Sequence, residues 1–409
     1  HEVLRTTLRP GSGGGSQRVH PHTGFALEVE DLGAVPEAGR AGEARRRVAA
    51  EAALPFALER DTPFRARLLR LAADDHVLLV TLHHVAGDGW SMGIVLGELG
   101  VLYRAFAAGG PAPLAELPLQ YADFTTWQRG WLAGDVLRGQ LAFWRRRLAG
   151  LPPVLALPTD GARPAARSHL GARHPVEVPA AVAGALGELA RGAGATPFMV
   201  LLAAYQILLA RWCGQDDFAV GVPVAGRARP ELDGVVGCFL NTLCLRSDLG
   251  GDPTFRELLG RVRDATLDAF AHQDVPFELL VRELAPPRAL SHSPLFQVSL
   301  VLQNQPAVAM SLGEVEVASF TPDSPTAKHD LALMLRESGG GFTGGLQYAA
   351  ELFRPATIAR LVAQWGALLE SIAAQPDAPV STLSLATRDD RARAAGAFAL
   401  ADDDADAAD

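Results

Sequence analysis

The spacing of apolar positions changes along this chain, and each change of period predicts an element. Residues 64–72 and 76–83 are two apolar runs with Ala73-Asp74-Asp75 between them, which predicts a β-hairpin. After Gly89 the period lengthens. Val95, Leu99, Leu102 and Phe106 fall at helical spacing, which predicts a helix over 91–108 stopped by Gly109-Gly110-Pro111. The same reading gives a strand at 25–29, a helix at 43–54 closed by Pro55-Phe56, and helices at 121–132 and 137–148. His1-Glu2-Val3-Leu4-Arg5-Thr6 reads as the end of a helix, so the natural N-terminus is expected upstream of it, and the Gly/Ser-rich 11–16 reads as a loop tip.

Residues 151–167 are rich in Pro, Ala and Gly and break the helical pattern. Beyond them the alternation restarts, with strands at 174–178, 218–224, 238–246, 295–302, 314–320, 331–337 and 344–349. Helices are predicted at 180–192, 196–211, 254–272 and 355–374. This is an α/β chain in two halves of similar size: an N-terminal half at 1–160, a connection at 161–175, a C-terminal half at 176–385 and an acidic linker or disordered tail at 386–409. The run Ala401-Asp402-Asp403-Asp404 in that tail lacks core-forming residues.

Composition narrows the function. The 409 residues are 48% hydrophobic and 20% charged, the balance of a folded protein. A net charge of −9 disfavours nucleic acid as a partner, because phosphate binding needs a basic face. The three cysteines, Cys213, Cys238 and Cys244, have neither disulfide-framework nor metal-ligand spacing, which fits a reducing, cytoplasmic setting. The longest apolar stretches fall well short of the roughly 20 residues a membrane span needs.

The densest chemistry is His83-His84-Val85-Ala86-Gly87-Asp88-Gly89-Trp90-Ser91, at the exit of a predicted strand and the start of a predicted helix. Side chains alternate along a strand, so His83 and His84 should point opposite ways and one of them reach a cleft. Imidazole suits general base work or hydrogen bonding to a transition state near neutral pH. Without further information, a histidine pair beside a turn Asp-Gly stands as the plainer alternative. A metal site is not expected, since no Cys or acidic partner lies at ligand spacing.

His83-His84-x-x-x-Asp88-Gly89 with Trp90-Ser91 resembles the signature of nonribosomal peptide synthetase condensation domains, whose His-x-x-x-Asp-Gly core is shared with chloramphenicol acetyltransferase-like acyltransferases. Further blocks follow in the family's order. They are His1-Glu2-Val3-Leu4-Arg5-Thr6, Tyr121-Ala122-Asp123-Phe124-Thr125-Thr126-Trp127, Val236-Gly237-Cys238-Phe239-Leu240-Asn241-Thr242-Leu243, His272-Gln273-Asp274-Val275-Pro276-Phe277-Glu278 and Ser293-Pro294-Leu295-Phe296-Gln297-Val298. The resemblance runs from about Glu2 to Leu385. Two departures stand out. The family's first helix and strand are absent, which reads as truncation. Lys328-His329-Asp330-Leu331 has His where the family has Phe, read as a partly exposed substitution.

The resemblance implies two chloramphenicol-acetyltransferase-like lobes forming a V with a central tunnel. It implies that His84 is the main catalytic residue, orienting or deprotonating an acceptor amine and stabilising the tetrahedral intermediate. Gly89 leaves room beside it and offers a backbone N–H. His83 and Asp88 are structural, with Asp88 bridged to an arginine of the other half: Arg227 is expected, and Arg246 is the second choice. Trp90 and Ser91 anchor the following helix, with Ser91 as its N-cap. Asn241 has two readings, a hydrogen bond in the cleft or a local bond to backbone. Tyr121, Phe124 and Trp127 are expected to pack in the core.

The implied reaction is amide formation between a donor aminoacyl or peptidyl thioester and the amine of an acceptor aminoacyl thioester. No cofactor is bound by the domain itself; both substrates ride on phosphopantetheine arms of donor and acceptor peptidyl carrier proteins. An adenylation domain is the expected neighbour through the C-terminal linker. Two alternatives of the same fold remain. An epimerisation domain shares the His pair but usually continues Ser-Trp, and a non-catalytic recruitment module tends to lose the second His. A heterocyclisation domain would replace the His pair with acidic residues.

Overall fold

The computed structural model describes residues 1–11, 14–287, 289–303, 310–320, 326–387 and 390. Over these residues the chain divides into two units. The first is drawn from His1–Val136, Ala225–Leu240 and Gln305–Ser324, the second from Leu137–Val224, Asn241–Asn304 and Pro325–Asp409.

In the first unit a short 3-10 helix, Glu2–Arg5, leads into β1 (Thr6–Arg9), which pairs antiparallel with β2 (Ser16–Val19). The helix end expected at the start of the chain is thus a single turn. β3 (Glu28–Asp31), β4 (Phe64–Arg70) and β5 (His76–Leu82) form a three-stranded sheet in that order. β4 and β5 are the expected hairpin, in register from Phe64↔Leu82 to Arg70↔His76. β3 starts three residues later than the apolar 25–29 reading, because polar cross-strand pairs set its position. Glu28 lies opposite Arg67 and Asp31 opposite Arg70, and both pairs form ion pairs. α1 (Glu37–Ala53) begins six residues earlier than its apolar periodicity. Pro36 fixes φ at its N-cap, and its first turns face solvent, where no apolar pattern is needed. Ala44 and Val48 of α1 pack with Leu32, Leu69, Leu71 and Leu79. α2 (Gly89–Ala107) and α3 (Tyr121–Trp131) follow.

The expected strand at 314–320 is absent. Leu312 bridges Val315, and the segment beyond is irregular, with Val315 and Val317 half exposed. Alternating apolar residues make a strand only where a partner edge is within reach.

The second unit holds α4 (Gly134–Arg147), whose first residues precede the division, then β6 (Gly171–Val178), α5 (Ala180–Gly192), α6 (Pro197–Cys213), β7 (Ala219–Val224) and β8 (Asn241–Arg246). α7 (Phe255–Ala271), α8 (Phe277–Leu284), β9 (Val298–Gln303), β10 (Leu331–Ser338), β11 (Gly341–Ala349) and α9 (Pro355–Ala374) complete it. The sheet order is β6-β11-β10-β9-β7-β8, with β9 parallel to both β10 and β7 and the other pairs antiparallel.

α6 is the centre of this core. Every residue from Met199 to Leu209 is buried. Thr196 accepts the Met199 N–H at its start, Pro197 occupies its first turn, and Gly214 closes it at φ 61°. α7 opens with a reciprocal Thr254–Glu257 cap. Buried apolar β7 reads as it does because it lies inside the sheet between β9 and β8.

The expected connection at 161–175 is not where the chain divides. Division falls after Val136, because Leu141, Trp144 and Leu148 already belong to the second core. Residues 171–175 are edge strand, paired with β11 from Gly171↔Ala349 to Val178↔Phe342. The expected strand 238–246 is likewise split, with 238–240 in the first unit and β8 in the second. Most of the acidic tail, including 401–409, lies outside the described residues.

Candidate active site

β5 ends at Leu82, and the chain turns through 83–88 before α2 begins. His83 is half-buried. Its Nδ1 accepts the Val85 N–H at 3.1 Å, and its ring meets the edge of Phe56 at 5.6 Å. His84, next in sequence, is exposed, with Nδ1 at 3.7 Å from Cys238 Sγ. The two histidines have different surroundings, but both lie past the end of β5, so strand alternation does not set their directions.

Asp88 is the organising residue. It is the N-cap of α2, accepting the Ser91 N–H at 2.9 Å with Oδ1, while Oδ2 accepts the Phe239 N–H at 3.1 Å. The expectation that Ser91 caps the helix is thus corrected: Ser91 is three residues inside the cap and donates to it. Asp88 has the geometry for this because its backbone is still extended where Gly89 starts the helix. The fully buried Ser91 hydroxyl has two acceptors at 2.8 Å, Asp88 Oδ1 and the Gly237 carbonyl, and itself accepts from the Gly237 N–H at 3.1 Å.

Arg227 is the arginine that meets Asp88, with Nη2 at 3.4 Å from Oδ1 and 3.1 Å from Ser91 Oγ. Nη1 donates to the carbonyls of Leu232 and Val235, and the guanidinium lies 4.1 Å from the Phe239 ring centroid. Burial pulls the Arg227 pKa down, and the Asp88 charge works against that. Arg227 belongs to the same unit as Asp88, not to the other half as expected, because 225–240 joins the first unit. Arg246, the second choice, is paired with Asp217 at 2.6 Å in the second unit. Trp90 donates from Nε1 to the Asp233 carbonyl at 2.9 Å, which ties the first turn of α2 to the same segment. Gly89 is the exposed first residue of that helix.

Asn241 belongs to the second unit, and its amide is engaged there. Nδ2 donates to the carbonyls of Gln273 and Val275, at 2.7 and 2.8 Å. Oδ1 accepts the N–H groups of Thr242 and Phe277, at 2.8 and 3.0 Å. Of its two readings, the local backbone one holds.

Sequence reasoning gave no site role to three residues, although Tyr121 packs against Phe239 as a core residue should. Tyr121 donates its hydroxyl to the Cys238 carbonyl at 2.7 Å, and burial pushes its pKa far up, so it stays a donor. Gly237 is required by Tyr121, since a Cβ there would stand 2.1 Å from the ring. Cys238 is the third, at His84. The family-like blocks contained all three, but pairing them needs the fold. Phe124 packs as expected beside Leu232, Val235 and Phe239. Trp127 does not: it is 41% exposed, stacked on Trp131 at 5.4 Å with the Arg229 guanidinium 4.8 Å from its ring. At about 100° per residue, six positions along a helix turn away from the starting face.

None of the three cysteines is in a disulfide. Among the described residues no group of three or more His, Cys, Asp or Glu is placed to hold a metal ion.

A family model described as Condensation domain matches residues 1–393. A linear gramicidin synthase protein of Brevibacillus parabrevis is 46% identical over 393 residues, covering 96% of this chain and 5% of that protein. Phosphinothricin tripeptide synthetase of Streptomyces viridochromogenes is 42% identical over 393 residues, covering 95% of this chain and 36% of its own length. The X-domain from teicoplanin biosynthesis superposes with a TM-score of 0.85 at 31% identity, covering 94% of this chain and 86% of that one. The chain spans 5% to 8% of the length of the gramicidin synthase proteins it matches.

Proposed function

Since this chain belongs to the condensation domain family, we propose that it makes amide bonds on a peptide synthetase. It joins a donor aminoacyl or peptidyl thioester to the amine of an acceptor aminoacyl thioester. Both are held on phosphopantetheine arms of carrier proteins, so the domain needs no cofactor of its own. The names of its relatives, synthases of gramicidin and of phosphinothricin tripeptide, support a peptide natural product as the outcome. An adenylation domain is the neighbour, reached through the segment after residue 385. The reaction belongs in the cytoplasm, and among the described residues no single helix is long and apolar enough to cross a membrane.

One observation carries this reading. An exposed histidine, His84, stands on a turn whose end is tied down by hydrogen bonds among Asp88, Ser91, Arg227 and Gly237. The acceptor nitrogen attacks the donor thioester carbonyl, the C–N bond forms, and the carbonyl oxygen takes the negative charge. The C–S bond then breaks, and the amine's proton ends on the departing thiol. In this reading His84 holds the amine, moves that proton and steadies the intermediate, and the Gly89 N–H at the start of α2 is the backbone donor assigned to the oxyanion. A thioester is already activated, so holding two reactants together and excluding water supplies most of the rest. His83, Asp88, Arg227, Trp90 and Ser91 are structural.

The test is mass spectrometry of carrier-bound products from loaded donor and acceptor carriers. A dipeptidyl thioester on the acceptor carrier, lost in His84→Ala, is the expected result. Deuterium uptake at Cα without a new bond would make it an epimerisation domain. Carrier binding with no product from any loaded pair would make it a recruitment module.

A further inference from the structure

We propose that Cys238 is a positioning residue for His84: its thiol holds Nδ1 of the imidazole, fixes the ring and its tautomer, and leaves Nε2 as the nitrogen offered to substrate. The inference rests on the reading of His84 given above and adds a residue to it.

The argument begins with the backbone around the thiol. Three consecutive residues are fastened at different points. The Gly237 N–H meets Ser91 Oγ at 3.1 Å, the Cys238 carbonyl accepts from Tyr121 at 2.7 Å, and the Phe239 N–H meets Asp88 Oδ2 at 3.1 Å. Asp88 and Ser91 are themselves buried, so these anchors are rigid. A cysteine side chain on such a backbone has one rotatable bond to its sulfur, and fixing it costs little entropy.

His84 is in the opposite condition. It is exposed on a turn, where an imidazole has freedom to swing about two torsions and to exchange its proton between nitrogens. Cys238 Sγ stands 3.7 Å from its Nδ1, within reach of a sulfur hydrogen bond. Which ring nitrogen works on a substrate is set by the bond the other one makes. Here that other bond is to sulfur, a weak partner, so the thiol biases the ring without binding it so strongly that it cannot adjust during the reaction. Tyr121 enters the device as well, since its hydroxyl fixes the carbonyl of the residue that carries the thiol.

The test uses the protein with 15N-labelled histidine, with the His84 signals assigned through His84→Asn. In wild type one tautomer of His84 dominates. In Cys238→Ala the two ring nitrogens shift toward an averaged pair. The dipeptide-forming kcat falls about three- to tenfold, the range of one modest hydrogen bond, with KM for both loaded carriers unchanged. Cys238→Ser, which keeps a donor and acceptor on a shorter arm, recovers part of the loss. Identical His84 nitrogen signals in wild type and Cys238→Ala would overturn the proposal. So would a loss of kcat that follows a lowered melting temperature with no change in tautomer balance. If instead His84→Ala still makes product, the reading of His84 as the working group fails, while the nitrogen signals still report whether Cys238 holds the ring.

Discussion

Arg227 Nη2 stands 3.4 Å from Asp88 Oδ1, with the two side chains only 2% and 3% exposed although 139 positions separate them. At that distance the pair is an electrostatic neighbour rather than a tight fork, and its environment is completed by other bonds. Asp88 takes two backbone N–H groups and a hydroxyl, and Arg227 gives to two carbonyls. A charge so placed depends on its partner, because neither can return to water without opening the turn.

Removing the carboxylate should therefore be costly. Asp88→Ala is expected to destabilise the fold by about 3–5 kcal/mol, since it strands a buried guanidinium and uncaps α2. Arg227→Lys is expected to be nearly as harmful, because one ammonium cannot reach Asp88, Leu232 and Val235 together. Urea unfolding of both variants checks this, and a cost below about 1 kcal/mol for Asp88→Ala would contradict it.

Gly237→Ala puts a Cβ 2.1 Å from a ring carbon of Tyr121, a rigid neighbour. The expected loss is about 1–3 kcal/mol from overpacking. Tyr121→Phe removes the bond to the Cys238 carbonyl and should cost about 1 kcal/mol. The double variant should lose less than the sum, because a ring pushed aside by the Cβ already loses the hydroxyl's bond to Cys238. Thermal melts of the three variants test the pattern.

The two histidines should separate activity from stability. His84→Ala removes an exposed side chain, so its melting temperature should match wild type while the dipeptide rate falls about 10²–10⁴-fold. His83→Ala removes the acceptor of the Val85 N–H and the packing on Phe56, and should lower stability by about 1–2 kcal/mol. Parallel melting and single-turnover measurements distinguish the two.

His329 gives a pH-dependent prediction. Burial, with the nearby charges of Arg167 and Lys328, holds its pKa down to about 4, and its ring packs against Phe296 with Nδ1 unpartnered among the described residues. The unfolded chain binds a proton near the ordinary value of 6.5, before the folded one does, so this residue costs nothing above that pH and progressively more as pH falls toward 4. His329→Phe should therefore gain on wild type by about 2–3 kcal/mol between those limits. Denaturant titrations of both proteins across that range would show a flat difference if the reading is wrong.

Local order was legible in the sequence where local forces decide it. The β4–β5 hairpin follows from two apolar runs and an Asp-Asp turn, and α5 and α9 match their expected bounds. The caps of α6 and α7 are written in Thr196-Pro197 and Thr254–Glu257. The histidine turn stood out because its residue types are unusual together, and the Asp88–Arg227 pair was expected from family resemblance. What failed were elements whose edges depend on partners. β3 slid to meet Arg67 and Arg70, residues 314–320 made no strand, and Trp127 turned out to solvent.

By itself, then, the sequence determined the periods, the caps, the turn bearing His83 and His84, and the chemistry those imidazoles offer. Each of these depends on residues within a turn or two of one another. Tertiary structure alone decided that 225–240 rejoins the first unit and that Gly237 is the residue Tyr121 tolerates. It also decided that the Ser91 hydroxyl meets the Gly237 carbonyl, and that a cysteine 154 positions away meets His84. The physical reason is the range of the interactions. Propensity and capping act along the chain, whereas packing, desolvation and long-range hydrogen bonds act through space, and one sequence does not show which distant segments will share it.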